Sequence, residues 1–305
     1  MILKTGFSPR SMWPYVHPEL ALGAASALAA WLVVDVGGVE AAALPAALAT
    51  VLGTALAILL AVRANTSYSR WWEASGIWAQ VTGLSRNLVR VATAIAESKE
   101  ADRAVVRGFT EDVARRQIAF AHALRARLRE DGERTALAWL PPGERARAAA
   151  VDDLPLHLLG CQSARILAAY GEGLLAGLEN FQLEVALAGL TQQQALAERM
   201  ASQPTPRTYD VFSRYLVHLF VIVFPFTIVA TTDGHAWIVI PATLVVAFAF
   251  RMIERIGTVV ERPFAGTVQD VPMSAICTEL ERDLLEIVGV AERPPRPESV
   301  GGYLM

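Results

Sequence analysis

Residues Ala41 to Ala79 read AAALPAALATVLGTALAILLAVRANTSYSRWWEASGIWA. From Ala41 to Val62 there is no charge; an Arg, Asn, Tyr and Trp cluster follows. An uncharged run of this length spans a bilayer core as a helix. The polar and aromatic end matches the headgroup region, where Trp, Tyr and Arg settle. Pro45 falls in the first turn of this helix, where proline is tolerated. Thr54, Ile58 and Val62 are four residues apart, so they form a row on one helical face. Repeated around a symmetry axis, such a row lines a narrow pore. Spacing alone favours a stripe that faces lipid or another helix, because any apolar helix offers such rows.

Working outward, the composition is that of a membrane protein with a sizeable water-facing part. Of 305 residues, 53% are hydrophobic, against about 45–50% in ordinary soluble domains, and the mean hydropathy is +0.36. Charges crowd into 97–153 and 251–298. The net charge of −3 provides no bulk field for nucleic acid. Cys161 and Cys277 have no CxxC spacing and read as reduced thiols rather than a disulfide or metal site. The start, MILKTGFSPRSMWPYVHPEL, lacks the apolar core of a signal peptide.

Three further apolar segments accompany the first: Leu20–Val34, Tyr215–Thr232 and Ala236–Phe250. The segment at Leu20 is short and needs its flanks to cross. Short loops join the segments into two hairpins. Lys4, Arg10, Arg63, Arg70, Arg207, Arg214, Arg251 and Arg255 lie on the long-loop side. The short loops carry Asp35, Glu40, Asp233 and His235. The positive-inside rule then places both termini and the middle region in the cytoplasm.

The middle region reads as helical. Val105, Phe109, Val113, Arg116 and Phe120 form a stripe near the 3.6 period. Asp131-Gly132 and Pro141-Pro142-Gly143 break it. A further helix is expected at about 161–180, with Asp152-Asp153 at its approach, and Thr191 is expected as an N-cap. Another helix is expected at about 272–288. Pro225 and Pro241 are expected to kink the last two spans. His218 is expected to bond a neighbouring backbone group.

At this point the residues become specific. ILLAVRANTSYSRWWEASGIWAQV (Ile58–Val81) resembles the signature of the bestrophin family, an apolar helix followed by Arg-Asn and Ser-Tyr-x-Arg. ERPFAGTVQDVPMSAICTELERDLLEI (Glu261–Ile287) is similar to the family's Pro-Phe-Gly segment and the helix after it. QPTPRTYDVF (Gln203–Phe212) matches the Pro-x-Pro step before the third span. Order and spacing agree over about residues 5 to 288.

The resemblance implies an all-α integral membrane protein. It has four transmembrane helices and a cytoplasmic helical domain, in a pentameric channel architecture. The expected parts are a cytoplasmic N-terminal segment (1–19), a first transmembrane hairpin with a pore-lining second helix (20–74) and a cytoplasmic helical domain (75–209). A second hairpin (210–256), a C-terminal helix region (257–290) and a Pro-rich tail (291–305) follow. Carried over by position, the pore neck is Thr54, Ile58 and Val62, and the lower constriction is Thr205. Thr, Ile and Val replace the bulkier neck residues usual in the family. Animal members bind calcium through an acidic cluster, whereas the corresponding stretch here has only Asp270.

The expected function is passive passage of small monovalent ions through a homopentamer in the bacterial inner membrane, in contact with membrane lipid. Asp35, Glu40 and Asp233 at the outer mouth favour cations slightly. The alternative is a chloride-passing channel of the same architecture. Arg63 is expected to pair with a carboxylate such as Glu73, or to reach phosphates. Tyr68, Arg70 and Trp72 are expected to fix the helix end and the interface. Glu261, Arg262 and Asp283 read as ion-pair residues. No cofactor, metal or catalytic residue is expected. His17, His122, His157, His218 and His235 are scattered, without HExxH or GxSxG, which argues against an enzyme. A lipid-acting enzyme and a non-conducting scaffold are the readings of another class.

Overall fold

The computed structural model describes residues 9–132, 135–203, 207–232, 235–267 and 269–298, and every regular element among them is helical. The chain divides into two compact units. One comprises Lys4–Trp71 and Pro204–Arg262; the other comprises Met1–Leu3, Trp72–Gln203 and Pro263–Met305. Four stretches are long and apolar enough to cross a membrane: Trp13–Val36, Glu40–Glu97, Thr208–Thr231 and Ala236–Thr258. They coincide with the four apolar segments read from the sequence, the third ending one residue earlier than expected. The short first segment gains its length from its flanks: the helix starts at Pro9 and continues past Ala30 through a widened turn at Trp31–Val36.

In the first unit, α1 (Pro9–Ala30) packs against α7 (Arg207–Ile228) and α8 (Val239–Val260). The membrane half of α2 (Ala46–Glu97) joins them through Leu56 and Leu60, which bury against Val217, Phe220, Val221 and Ala247. Gly53 permits this approach, since a Cβ there would lie 3.2 Å from the Phe220 ring. Pro225 lies inside α7, which gives way to a 3-10 turn at Val229–Thr231. Just ahead of it, the Ile222 carbonyl accepts from the Ser26 hydroxyl at 2.7 Å, a partner from outside the helix where proline disturbs the ladder. Pro241 does not kink its helix as expected. It is the third residue of α8, where a backbone N–H would have no partner within the helix.

The second unit is built around α3 (Arg103–Arg129), which packs on α5 (Leu154–Gly171) and α9 (Met273–Ile287). The expected stripe is largely correct: Phe109, Val113, Arg116 and Phe120 are buried, while Val105 is exposed. The helix expected at 161–180 starts earlier and stops sooner. Asp153 caps α5 through Leu156 N–H. Gly173, at φ +76°, turns the chain towards α6 (Gly177–Ser202). Thr191 is not an N-cap. It sits within α6, and its hydroxyl donates to Leu187 O.

Polar groups in this unit are buried in pairs. Arg116 and Glu144, the latter on the short α4 (Pro142–Ala148), form a two-pronged pair at 3.0 and 3.1 Å. Gln117 donates to Ser85 Oγ, and Gln162 to Val113 O. His122 meets Glu281 at 3.1 Å. Both cysteines are free thiols. Burial, with Glu144 nearby, pushes the Cys161 thiol up, so it stays protonated and inert at neutral pH.

Removing one member of a buried ion pair strands the other charge. Glu144→Gln is therefore expected to cost about 3 kcal/mol, read as a lower unfolding midpoint in detergent. Arg127→Gln, at a partly exposed pair with Asp153 and Glu198, should shift the midpoint much less.

Candidate pore lining and its ionic anchor

Between residues 54 and 67, α2 carries two chemically different faces. Leu56, Leu60, Arg63 and Ser67 are buried, at 1–7% exposure. Thr54, Ile58 and Val62 lie on the opposite side and are exposed, Ile58 at 60% and Val62 at 51%. The row read from the sequence is thus turned away from the helices of its own chain. The Thr54 hydroxyl donates to Thr50 O at 2.7 Å, so its hydrogen is committed to the helix and only its oxygen lone pairs remain available.

The buried face explains Arg63. Its guanidinium donates to Ser213 Oγ at 2.6 Å and bonds to Asp210. Glu254 lies at 3.5 Å and Glu261 at 3.8 Å. Glu73, expected as the partner, instead meets Arg199 at 3.1 Å in the other unit. Gly257 leaves room for the arginine stem: a Cβ there would touch Arg63 Cγ at 3.6 Å. The pairing continues through α8 and α1. Arg251 meets Glu254 at 2.6 Å and Glu19 at 3.9 Å. His218 Nε2 lies 2.9 Å from Glu19 Oε1, a carboxylate and not the backbone group expected. Asp283 pairs with Arg86, and Glu261 with Arg63, as their reading as ion-pair residues required.

Asp210, Glu254 and Glu19 were missed by sequence reasoning. Glu254 lies three residues after Arg251, a spacing that normally marks a solvated surface pair. The usable signal was that an acid so close to an apolar span needs a partner.

The remaining expected site residues are spread out. Asp35 and Glu40 are exposed and border a cavity of about 460 Å³ with Val34, Gly38 and Val229. Asp35 accepts a hydrogen bond from Trp31 Nε1 at 3.0 Å. Tyr68 stacks on Trp71 at 6.2 Å between ring centroids; Trp72 is exposed and Arg70 half-buried. Asp233 and Thr205, expected at the outer mouth and the lower constriction, lie outside the described residues. Asp270 is buried, and both its carboxylate oxygens close a local turn onto Thr267. Among the described residues, no three His, Cys, Asp or Glu side chains converge as a metal site requires.

The sequence model of the bacterial and fungal bestrophin proteins matches residues 6–286. The chain belongs to the bestrophin family. A voltage-dependent anion channel-forming protein of Escherichia coli K12, YneE, is 32% identical over 256 residues, covering 81% of this chain and 78% of that one. A protein of the same description from Mesorhizobium japonicum is 27% identical, covering 80% and 75%. The crystal structure of a bacterial bestrophin homolog from Klebsiella pneumoniae superimposes with a TM-score of 0.81 at 24% identity, covering 92% of this chain and 100% of that one. That structural likeness establishes the fold.

The anchor makes a direct prediction. Arg63→Gln leaves buried carboxylates without their cation and is expected to cost about 3 kcal/mol. Adding Asp210→Asn to the same chain should recover part of the loss, with a coupling of about 1 kcal/mol or more. Melting midpoints of the four proteins in one detergent give the number, and strictly additive losses would contradict the pairing.

Proposed function

We propose that this bestrophin is the subunit of a homopentameric ion channel in a bacterial inner membrane, with both termini cytoplasmic, rather than an enzyme. Five α2 helices line the neck with rings of Thr54, Ile58 and Val62, and Thr205 forms a lower constriction. The observation that carries this reading is the exposed Thr54–Ile58–Val62 row on a helix whose opposite face is anchored by a buried, paired Arg63. A row aimed away from its own helix bundle is available to line an axial space. Surrounding lipid covers the other exposed apolar positions.

A narrow apolar ring does not replace an ion's hydration shell; it gates by fit and by the cost of wetting. Ile58 is the principal dry barrier. The Thr54 oxygen lowers the wetting cost one turn further out.

Charge selectivity follows from which charges remain uncompensated. Arg63 is surrounded by Asp210, Glu254 and Glu261, so it adds little positive potential to the neck. Asp35 and Glu40 are exposed acids, and fivefold rings of acid favour monovalent cations. The second reading, passage of anions, is favoured by the description of the relatives as anion channel-forming.

Planar bilayers holding the purified protein under asymmetric potassium chloride test both. Reversal towards the potassium potential is expected, and Asp35→Asn with Glu40→Gln should move it towards zero. Reversal towards the chloride potential would keep the pore and overturn the charge argument. Ile58→Ala is expected to raise conductance. Silence from a verified pentamer of both the unsubstituted protein and Ile58→Ala would overturn the channel reading.

A further inference from the structure

The apolar part of the exposed α2 row ends at Val62, and the next side chains on the same face are polar. An α-helix turns by about 100° per residue. Thr54, Ile58 and Val62 therefore cover an arc of about 80°, and Asn65 falls inside it. Ser69 falls inside it too, one turn further on, whereas Arg63 lies opposite Thr54. Exposure agrees with this geometry: Asn65 and Ser69 are exposed, while Arg63 and Ser67 are buried. Asn65 stands about 4.5 Å beyond Val62 along the helix axis.

Asn65 is out of keeping with its helix. Asparagine is a poor helix former, because its short side chain competes with the backbone. Here it occupies the interior of the 52-residue α2. Its exposed carboxamide packs into no core and makes no hydrogen bond among the described residues. A local rule broken without a structural gain is the mark of a functional position.

Its chemistry differs from that of the hydroxyls around it. Thr50, Thr54 and Thr66 donate to the carbonyl four residues back, at 3.3, 2.7 and 3.0 Å. Their hydrogens are committed to the helix. The Asn65 carboxamide keeps a carbonyl oxygen with two lone pairs and two N–H donors. Arg63, the nearest cation in sequence, is held on the opposite face by Asp210 and Glu254 and does not occupy that oxygen. Carbonyl oxygens replace the water that a cation loses in a constriction, and neutral dipoles hold it weakly enough to let it leave.

Resting on the pore reading and its preference for cations, we propose that Asn65 forms a fourth ring at the inner end of the neck, where five carboxamide oxygens receive a partly dehydrated monovalent cation as it passes Val62. Val62 is then the last dry position, and Asn65 the first at which the ion regains oxygen ligands. The ring sets how readily ions leave the neck.

Planar bilayers under asymmetric potassium chloride test it, with channels of verified pentameric mass. Asn65→Leu, of similar size, is expected to lower potassium conductance about tenfold by raising the exit barrier. Asn65→Asp, which keeps the shape and adds a charge, should move the reversal further towards the potassium potential. Thr66→Leu places the same apolar side chain one residue on, turned about 100° away, and should leave conductance unchanged. Unaltered conductance in Asn65→Leu, or unaltered reversal in Asn65→Asp, would overturn the ring. So would equal losses in Asn65→Leu and Thr66→Leu, which would mark a general distortion of the helix. Should Asn65→Leu fail to assemble, the reversal potential of Asn65→Asp decides alone. Reversal of the unsubstituted channel towards the chloride potential would overturn the role given to the carbonyl oxygens. Silence of both the unsubstituted protein and Ile58→Ala would remove the pore reading itself, whereas currents indifferent to Asn65 would remove this ring alone.

Discussion

A guanidinium buried among apolar helices has few acceptable orientations, and Arg63 occupies one of them. Its environment combines a serine hydroxyl with Asp210, Glu254 and Glu261. Transfer of an isolated charge out of water is prohibitive, whereas a paired and hydrogen-bonded one is tolerated. The helix therefore cannot rotate about its axis without stranding Arg63. Leu60 and Leu56, one and two turns earlier, are buried on the same face. Fixing that face also fixes the other one, so the outward direction of Thr54, Ile58 and Val62 is a consequence of where Arg63 is held.

The anchor also explains how the uncharged Thr54–Ile58–Val62 row is compatible with so many ionisable groups in the same unit. Glu19, His218, Arg251, Glu254, Arg63 and Asp210 connect α1, α7, α8 and α2 through successive pairs. The charges compensate one another within the bundle. What the Thr54–Ile58–Val62 row presents is side-chain bulk and a threonine oxygen.

The helix-centred unit obeys the same rule with different chemistry. Arg116 has Glu144, Gln117 has Ser85, Gln162 has the Val113 carbonyl and His122 has Glu281. Buried polar groups in native proteins are overwhelmingly satisfied.

Much of this was legible in the amino-acid order. Uncharged runs closed off by charged residues define the four apolar helices, because lipid excludes charge and an α-helix satisfies its own backbone. The spacing of Thr54, Ile58 and Val62 places them on one face because 3.6 residues make a turn. Asp152-Asp153 reads as the approach to a helix because short acceptors beside an apolar run suit the free N–H groups of a first turn. Partner identity was not legible. Glu73 is ten residues from Arg63, about 15 Å along a helix, too far to pair despite its proximity in sequence. Asp210 is 147 residues away and in contact. Glu19 and His218, Arg116 and Glu144, and the true ends of α5 at Leu154 and Gly171 likewise depended on which surfaces the packing brought together. Local order specifies which residues share a face, since that follows from backbone geometry. Only the tertiary structure specifies what the face meets, since burial and pairing are properties of the whole packed set of helices.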